Sequence, residues 1–274
     1  MISHLWLGLE GAKERPAVEL QKIEELNERE IATAASFEIT SKKSWDEVKK
    51  CLAVDSQSFP EKLSPDLEQK IFVKKELADL MKCNSRDCAF NFLPYELEYL
   101  EKLKTEEQRK EAYFKFFQNR IKGLTPMDPT KADLIIRSSK ESFPECQSPI
   151  LDKFLSQRPL GKADFRLSLV KYDDRMRPTT RLLQSMSFMK SPNQYCYAEA
   201  LIFSDHYDAE RIELWSVSKR ADVYEISLKI RDRIDFLNSW FRRLQKGSLR
   251  KALEKLVQEQ SQNMLRCIVA GNSP

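Results

Sequence analysis

The stretch YCYAEALIFSDHYDAERIELWSVSKRADVYEISLKI, residues 195–230, decides the fold class. It reads as three extended runs: a long strand over 195–207, a second over 211–217 with Ile212 and Leu214 opposite Trp215 and Val217, and a third over 223–230. The third sets Tyr224, Ile226, Leu228 and Ile230 on one side. Apolar residues at period two mark strands with a buried face, and strands joined by short turns pair as an antiparallel meander. Upstream, Phe165, Leu167 and Leu169 alternate, residues 173–178 turn, and Leu182, Gln184, Met186 and Phe188 form the inner face of the next strand before Ser191-Pro192-Asn193 turns again.

Helices flank this meander. Residues 28–40 form a strand with Ile31, Ala35, Phe37 and Ile39 on one face, and Ser44 with Glu47 supplies a capping box for a helix over 45–54. Residues 55–65 read as a loop, 70–73 as a short strand, 75–82 as a helix and 87–93 as extended chain. Pro94 then opens a helix over 95–122, interrupted near Thr105, whose stripe of Tyr113, Phe116, Phe117 and Ile121 reads as core. Five prolines make 123–162 irregular apart from a short helix at 150–157. The chain closes on a helix from about 235 that carries Leu237, Trp240, Phe241 and Leu244 inward, breaks at Gly247-Ser248, and resumes with Leu249, Leu253, Leu256, Val257, Leu265 and Ile268. The expected class is α+β: residues 1–27 as an N-terminal tail, and 28–274 as one domain with a helical insertion at about 61–160.

Composition excludes several chemistries. Phosphate-cradling loops need clustered glycines, but the 274 residues hold only six Gly, and the closest pair, Gly8 and Gly11, lies in the tail. The two histidines are His4 and His206, there is no Gly-x-Ser-x-Gly elbow, and no second cysteine pair or histidine completes a zinc set, so neither cofactor nor metal is expected. The net charge of +4 is too small for a dedicated nucleic-acid binder. Residues 219–255 alone carry a net +6, which reads as a solvated face or as a surface for membrane headgroups. The spacing of Cys83 and Cys88 suits a small disulfide-closed turn in an oxidising compartment, or two free thiols in a cytosol. Ile2 to Leu9 reads either as the stump of a signal segment or as a frayed cytosolic terminus.

The order of strand, capped helix, helical insertion, meander and long C-terminal helix resembles the START-like, or helix-grip, superfamily. At residue level, Cys83-Asn-Ser-Arg-Asp-Cys88 and Ser204-Asp205-His206-Tyr207-Asp208-Ala209 resemble an uncharacterised family of exported bacterial proteins. That family reads Ser-His-Tyr-Phe-Asp-Ala in the second motif, which places its histidine at Asp205 here. The resemblance implies a curved antiparallel sheet wrapped on the C-terminal helix, an apolar cavity between them, and a periplasmic or exported location, with a cytoplasmic one as the alternative. The expected activity is non-enzymatic binding of a lipid or other hydrophobic small molecule. Tyr172, Arg181, Met186, Phe188, Tyr197, Phe203, His206, Tyr207, Trp215 and Tyr224 are the cavity candidates. Two alternatives stand beside it: an envelope-associated interaction protein with a filled core, and a cyclase- or hydrolase-type enzyme using His206 and a carboxylate.

Overall fold

In the computed structural model, residues 19–25, 30–52, 62, 64–123, 144–156, 164–170, 177–206, 208–234 and 246–270 are described. Among the described residues, seven strands join in one sheet: β1 (Glu19–Glu25), β2 (Glu30–Thr40), β3 (Asp164–Val170), β4 (Thr179–Ser191), β5 (Gln194–Ser204), β6 (Asp208–Arg220) and β7 (Val223–Ile234). Their order is β1-β2-β7-β6-β5-β4-β3, antiparallel throughout. β3 to β7 form the expected meander, and β2 returns from the start of the chain to pair with β7. β1 corrects the reading of residues 1–27 as a tail: Glu19–Glu25 pairs with β2. Its sequence, ELQKIEE, spaces its two apolar residues by three, and a register shift between Gln21 and Glu24 interrupts the alternation that period-two reading relies on.

The helices are α1 (Trp45–Leu52), α2 (Pro65–Ile71), α3 (Lys74–Lys82), α4 (Pro94–Glu101), α5 (Glu106–Ile121), α6 (Pro149–Ser156) and α7 (Lys246–Ala270). The Ser44/Glu47 capping box opens α1, with the Ser44 amide donating to Glu47 Oε2 at 2.8 Å. Residues 70–73 are not a strand. Ser64 caps α2, Pro65 takes its first position, and Lys70 pairs with Asp66 one turn back at 2.8 Å, so the turn residues start a helix. Gly247 and Ser248, where a break was expected, fall in the first turn of α7, where the amides need no intrahelical partner. The helix expected over 235–245 lies outside the described residues.

Strand alternation divides the core. On one face, Ala35, Phe37, Ile39, Tyr195, Tyr197, Trp215, Val217, Tyr224, Ile226, Leu228 and Ile230 pack with Val48, Cys51 and Leu52 of α1 and with Val257, Met264, Cys267 and Ile268 of α7. On the other, Phe188, Cys196, Ala198, Ala200, Ile212 and Leu214 pack on α6. The insertion α2–α5 forms a third cluster against Phe165, Leu182 and Phe203. All six cysteines are bonded: Cys51–Cys267 ties α1 to α7, Cys83–Cys88 closes a loop after α3, and Cys146–Cys196 ties the turn before α6 to β5.

Within the insertion, Arg120 of α5 makes a bidentate pair with Glu96 of α4 at 2.6 and 2.8 Å, and its guanidinium lies 3.6 Å from the ring centroid of Phe203. Both charges are buried, so Glu96→Ala leaves Arg120 uncompensated and is expected to cost roughly 3–5 kcal/mol, read by chemical denaturation. Replacing Cys51 and Cys267 together by Ala is expected to cost about 2–5 kcal/mol on the same measurement, because that bond closes the longest loop of the three.

Candidate functional site

α7 lies over the sheet on a stripe of Leu253, Val257, Gln260, Ser261, Met264, Cys267 and Ile268, spaced at three or four residues. Gln260 and Ser261 interrupt an otherwise apolar stripe. The inward faces of the strands beneath change in the same way. β5 runs Tyr195, Tyr197, Glu199; β6 runs Val217, Trp215, Glu213, Arg211; β7 runs Ile226, Leu228, Ile230, Asp232. One half of the face is apolar and the other half ionic.

At the seam lies a cavity of about 200 Å³ lined by Cys51, Leu52, Arg166, Tyr197, Glu199, Glu213, Trp215, Gln260, Asn263 and Met264. Arg166 on β3 reaches across β4 to Glu199, with Nε and Nη2 donating to the two carboxylate oxygens at 2.6 Å each. Glu213 accepts from Trp215 Nε1 at 2.9 Å, from Arg211 at 3.0 Å, and from Gln260 Nε2 at 3.2 and 3.1 Å. Arg211 also donates to Asp232 at 2.6 Å. Burial pushes the Glu213 carboxyl up, but Arg211, Arg166, Trp215 and Gln260 outweigh it and hold the group below the usual carboxylate range. Burial, reinforced by Glu199, pushes the Tyr197 hydroxyl up and keeps it protonated.

Of the ten cavity candidates, Tyr197 and Trp215 line this cavity. Tyr224 packs in the same core, against Trp45 with ring centroids 5.5 Å apart. Met186 and Phe188 sit on the opposite face, beside α6, because they pair with Ala198 and Cys196 rather than with Tyr197. Phe203 packs against the insertion, and Arg181 is buried on β4. Tyr172 and Tyr207 lie outside the described residues. Alternation shows which residues of a strand share a face, but only pairing register shows which face meets α7. Glu199, Glu213, Arg166 and Gln260 were missed. Their signal was a charged or amide residue continuing an apolar alternation at an inward position.

His206 belongs to a second cluster, where the two motifs of the sequence meet. Its Nδ1 faces the Ala89 carbonyl at 2.9 Å and its Nε2 faces Glu76 Oε2 at 3.0 Å, while its ring stacks on Phe90 with centroids 4.7 Å apart. Next to it, Asp205 accepts from the Tyr113 hydroxyl at 2.6 Å and the Thr180 amide at 2.7 Å, and the Asp205 carbonyl accepts from the Asn91 amide at 2.8 Å. The Cys83–Cys88 loop thus presents residues 89–91 to the end of β5, and Arg109 holds the loop's base by donating to the Leu80 and Cys83 carbonyls at 2.8 and 3.0 Å. Both ring nitrogens of His206 face acceptors and the residue is 3% exposed, a latch geometry rather than that of a group exchanging protons with substrate. Among the described residues no group of His, Cys, Asp or Glu is arranged to hold a metal, and no helix is long and apolar enough to cross a membrane.

Burial lowers the His206 pKa, but the Glu76 hydrogen bond with Asp205 and Ala89 reverses it, and the net direction is up. Burial raises Asp205 to about 6 against its other neighbours. A raised His contributes stability below its unfolded pKa near 6.5 and loses it as pH rises through the folded value. A raised Asp also favours the folded state while protonated, and that contribution fades between about 3.8 and about 6. Both slopes have one sign. The melting temperature is expected to fall as pH is raised from about 5 to about 9, with hydrogen exchange at the Asn91 amide accelerating first, and His206→Gln to flatten the part of the slope above about 6.5.

Comparison with known proteins names no family: no family model matches the chain, and no curated protein matches it. Among solved structures, the chain overlaps one described as the di-domain ARO/CYC StfQ from the steffimycin biosynthetic pathway. The identity is 12%, the overlap covers 93% of this chain and 82% of that one, and the TM-score is 0.25, too loose a superposition to carry function across.

Proposed function

We propose that the protein is a non-enzymatic binding protein of helix-grip, START-like build that holds a small molecule between its sheet and its C-terminal helix. The supporting observation is the cavity at the seam of the α7-facing sheet surface, walled by Leu52, Met264, Tyr197 and Trp215 and floored by Glu199, Glu213 and Arg166. Ligand pockets of this kind combine apolar walls with a few placed polar groups. The volume, about 200 Å³, lies below the roughly 300–1,000 Å³ of drug-sized sites. The occupant is therefore a small molecule with a polar group, or the head of a longer one, in place of the whole hydrophobic ligand expected from the sequence.

The three disulfides are compatible with an oxidising, exported location, and we place this activity in the periplasm, within an exported family whose two cysteine- and histidine-bearing motifs form the latch. The basic sequence at the start of α7 supports contact with an anionic membrane surface. An interaction role has one observation in its favour, the exposure of Tyr95 and Tyr99 four residues apart on α4, at 50% and 42%. Catalysis by His206 is disfavoured by the occupied ring.

Native mass spectrometry of protein purified from its oxidising compartment is expected to show a bound small molecule, and adding it back to stripped protein to raise the melting temperature. Saturation at a hundredfold excess over Kd corresponds to about 2.7 kcal/mol. Met264→Trp, which fills the cavity, is expected to abolish the effect. Persistence of binding in that variant would place the ligand elsewhere and overturn the proposal.

A further inference from the structure

We infer that the ligand of this cavity carries a single carboxylate, which accepts a pair of hydrogen bonds from the open end of the Arg166 guanidinium. The inference rests on the binding reading above and adds the ligand's chemical class. The polar groups of the lining that are already occupied decide that class. Glu213 accepts four hydrogen bonds, one from Trp215 Nε1, one from Arg211 and two from Gln260 Nε2, so its lone pairs are filled. Glu199 accepts from Arg166 Nε and Nη2 at 2.6 Å each and from the Tyr197 hydroxyl at 3.4 Å. The donors are less engaged. A guanidinium carries five N–H groups, and the pair with Glu199 uses two of them, on the edge that bears Nε. Among the described residues no acceptor meets Nη1 or the second hydrogen of Nη2, and these form an end-on fork that matches a carboxylate.

The Arg166 side chain is 26% exposed where its Glu199 partner is 2% exposed, so the open end is reachable from the cavity that both residues line. Burial lowers the Arg166 pKa, but Glu199 outweighs it, and the guanidinium stays charged. Asn263, exposed on α7 at the same cavity, adds an amide donor. A cation would meet a filled Glu213 and the like charge of Arg166. A neutral hydroxyl or carbonyl occupies part of the fork, whereas a carboxylate fills it with two parallel charge-assisted bonds. Arg211 offsets the Glu213 charge, but Glu199 still tempers the pull of Arg166, and the second charge of a phosphate would add to that repulsion. One negative charge spread over two oxygens is therefore the best fit, with Leu52, Met264 and the Trp215 ring beside a short apolar segment of the ligand.

The test uses the full-length, disulfide-bonded protein and four probes with a four-carbon chain: butyrate, n-butanol, n-butylamine and n-butyl phosphate. Calorimetry and melting temperature are expected to show butyrate binding roughly tenfold or more tighter than each of the others. Arg166→Lys, which keeps a positive charge beside Glu199 and removes the fork, is expected to weaken butyrate roughly tenfold and bring it close to n-butanol. If Arg166→Lys fails to fold, Asn263→Asp at its exposed position supplies the second test: the added carboxylate is expected to weaken butyrate and strengthen n-butylamine. Butyrate binding that neither substitution changes, or equal or tighter binding of another probe that Met264→Trp abolishes, overturns the carboxylate assignment and leaves the binding reading standing. A native ligand that lacks a carboxylate does the same. Absence of binding by all four probes together with an empty native mass spectrum overturns both.

Discussion

Eleven consecutive residue pairs join β2 to β7, from Glu30 opposite Arg233 to Thr40 opposite Val223, without a register shift. Everything on the α7 side of the sheet depends on that ladder. Its register sends Ala35, Phe37 and Ile39 to the face that also carries Tyr224, Ile226 and Leu228, and a slip of one residue would turn the first three to the other side. Directly after β2 the chain crosses to α1, with the Tyr224 hydroxyl donating to the Lys43 carbonyl at 2.6 Å and Lys43 Nζ to the Cys267 carbonyl at 2.7 Å. The ladder thereby sets Cys51 beside Cys267 and Leu52 over the cavity.

The ionic half of that face is a weak source of stability. Replacing a buried ion pair by well-packed apolar residues is often neutral or stabilising, because desolvation offsets much of the attraction. Arg211, Glu213, Asp232, Arg166 and Glu199 sit in an order that an apolar continuation of Tyr195–Tyr197 and Trp215–Val217 would have filled at lower cost. Two of the three carboxylates are each oriented by at least two donors, Glu199 by Arg166 Nε and Nη2 and Glu213 by Arg211, Trp215 and Gln260. Asp205 and His206 do different work. They fasten the insertion to the end of β5, so the same chain uses buried charge once to shape a cavity and once to hold two substructures together.

Period and turn chemistry made the meander, α1 and the aromatic stripe of α5 legible in the sequence, since each is a local pattern that tertiary context reinforces. β1 was hidden because Leu20 and Ile23 straddle a bulge, and α2 because Pro65 reads as a breaker when it stands at a helix start. The cavity between sheet and C-terminal helix was anticipated, but its lining was read from large apolar residues. Met186 and Phe188 are equally large and apolar, and they lie on the far face because of cross-strand register, which no single strand records. Spacing offered Cys83 and Cys88 either as a disulfide or as two free thiols, and the fold shows the disulfide, whereas Cys51–Cys267 and Cys146–Cys196 join residues 216 and 50 apart that only the fold brings together.

Numbered along the chain, the six cysteines pair first with sixth, second with third, and fourth with fifth, a nested pattern. Passing from a ribosome or through a translocation channel in order, Cys51 arrives first and its partner last. An oxidant that joined thiols as they appeared would couple Cys51 to Cys83 and leave the chain locked in a form it must later undo. Correct maturation therefore requires either that Cys51 stay reduced until residue 267 has emerged or that a disulfide isomerase shuffle the early product. Cys267 lies on α7, the helix over the cavity, so the bond that fixes that helix to α1 forms only after residue 267 has emerged.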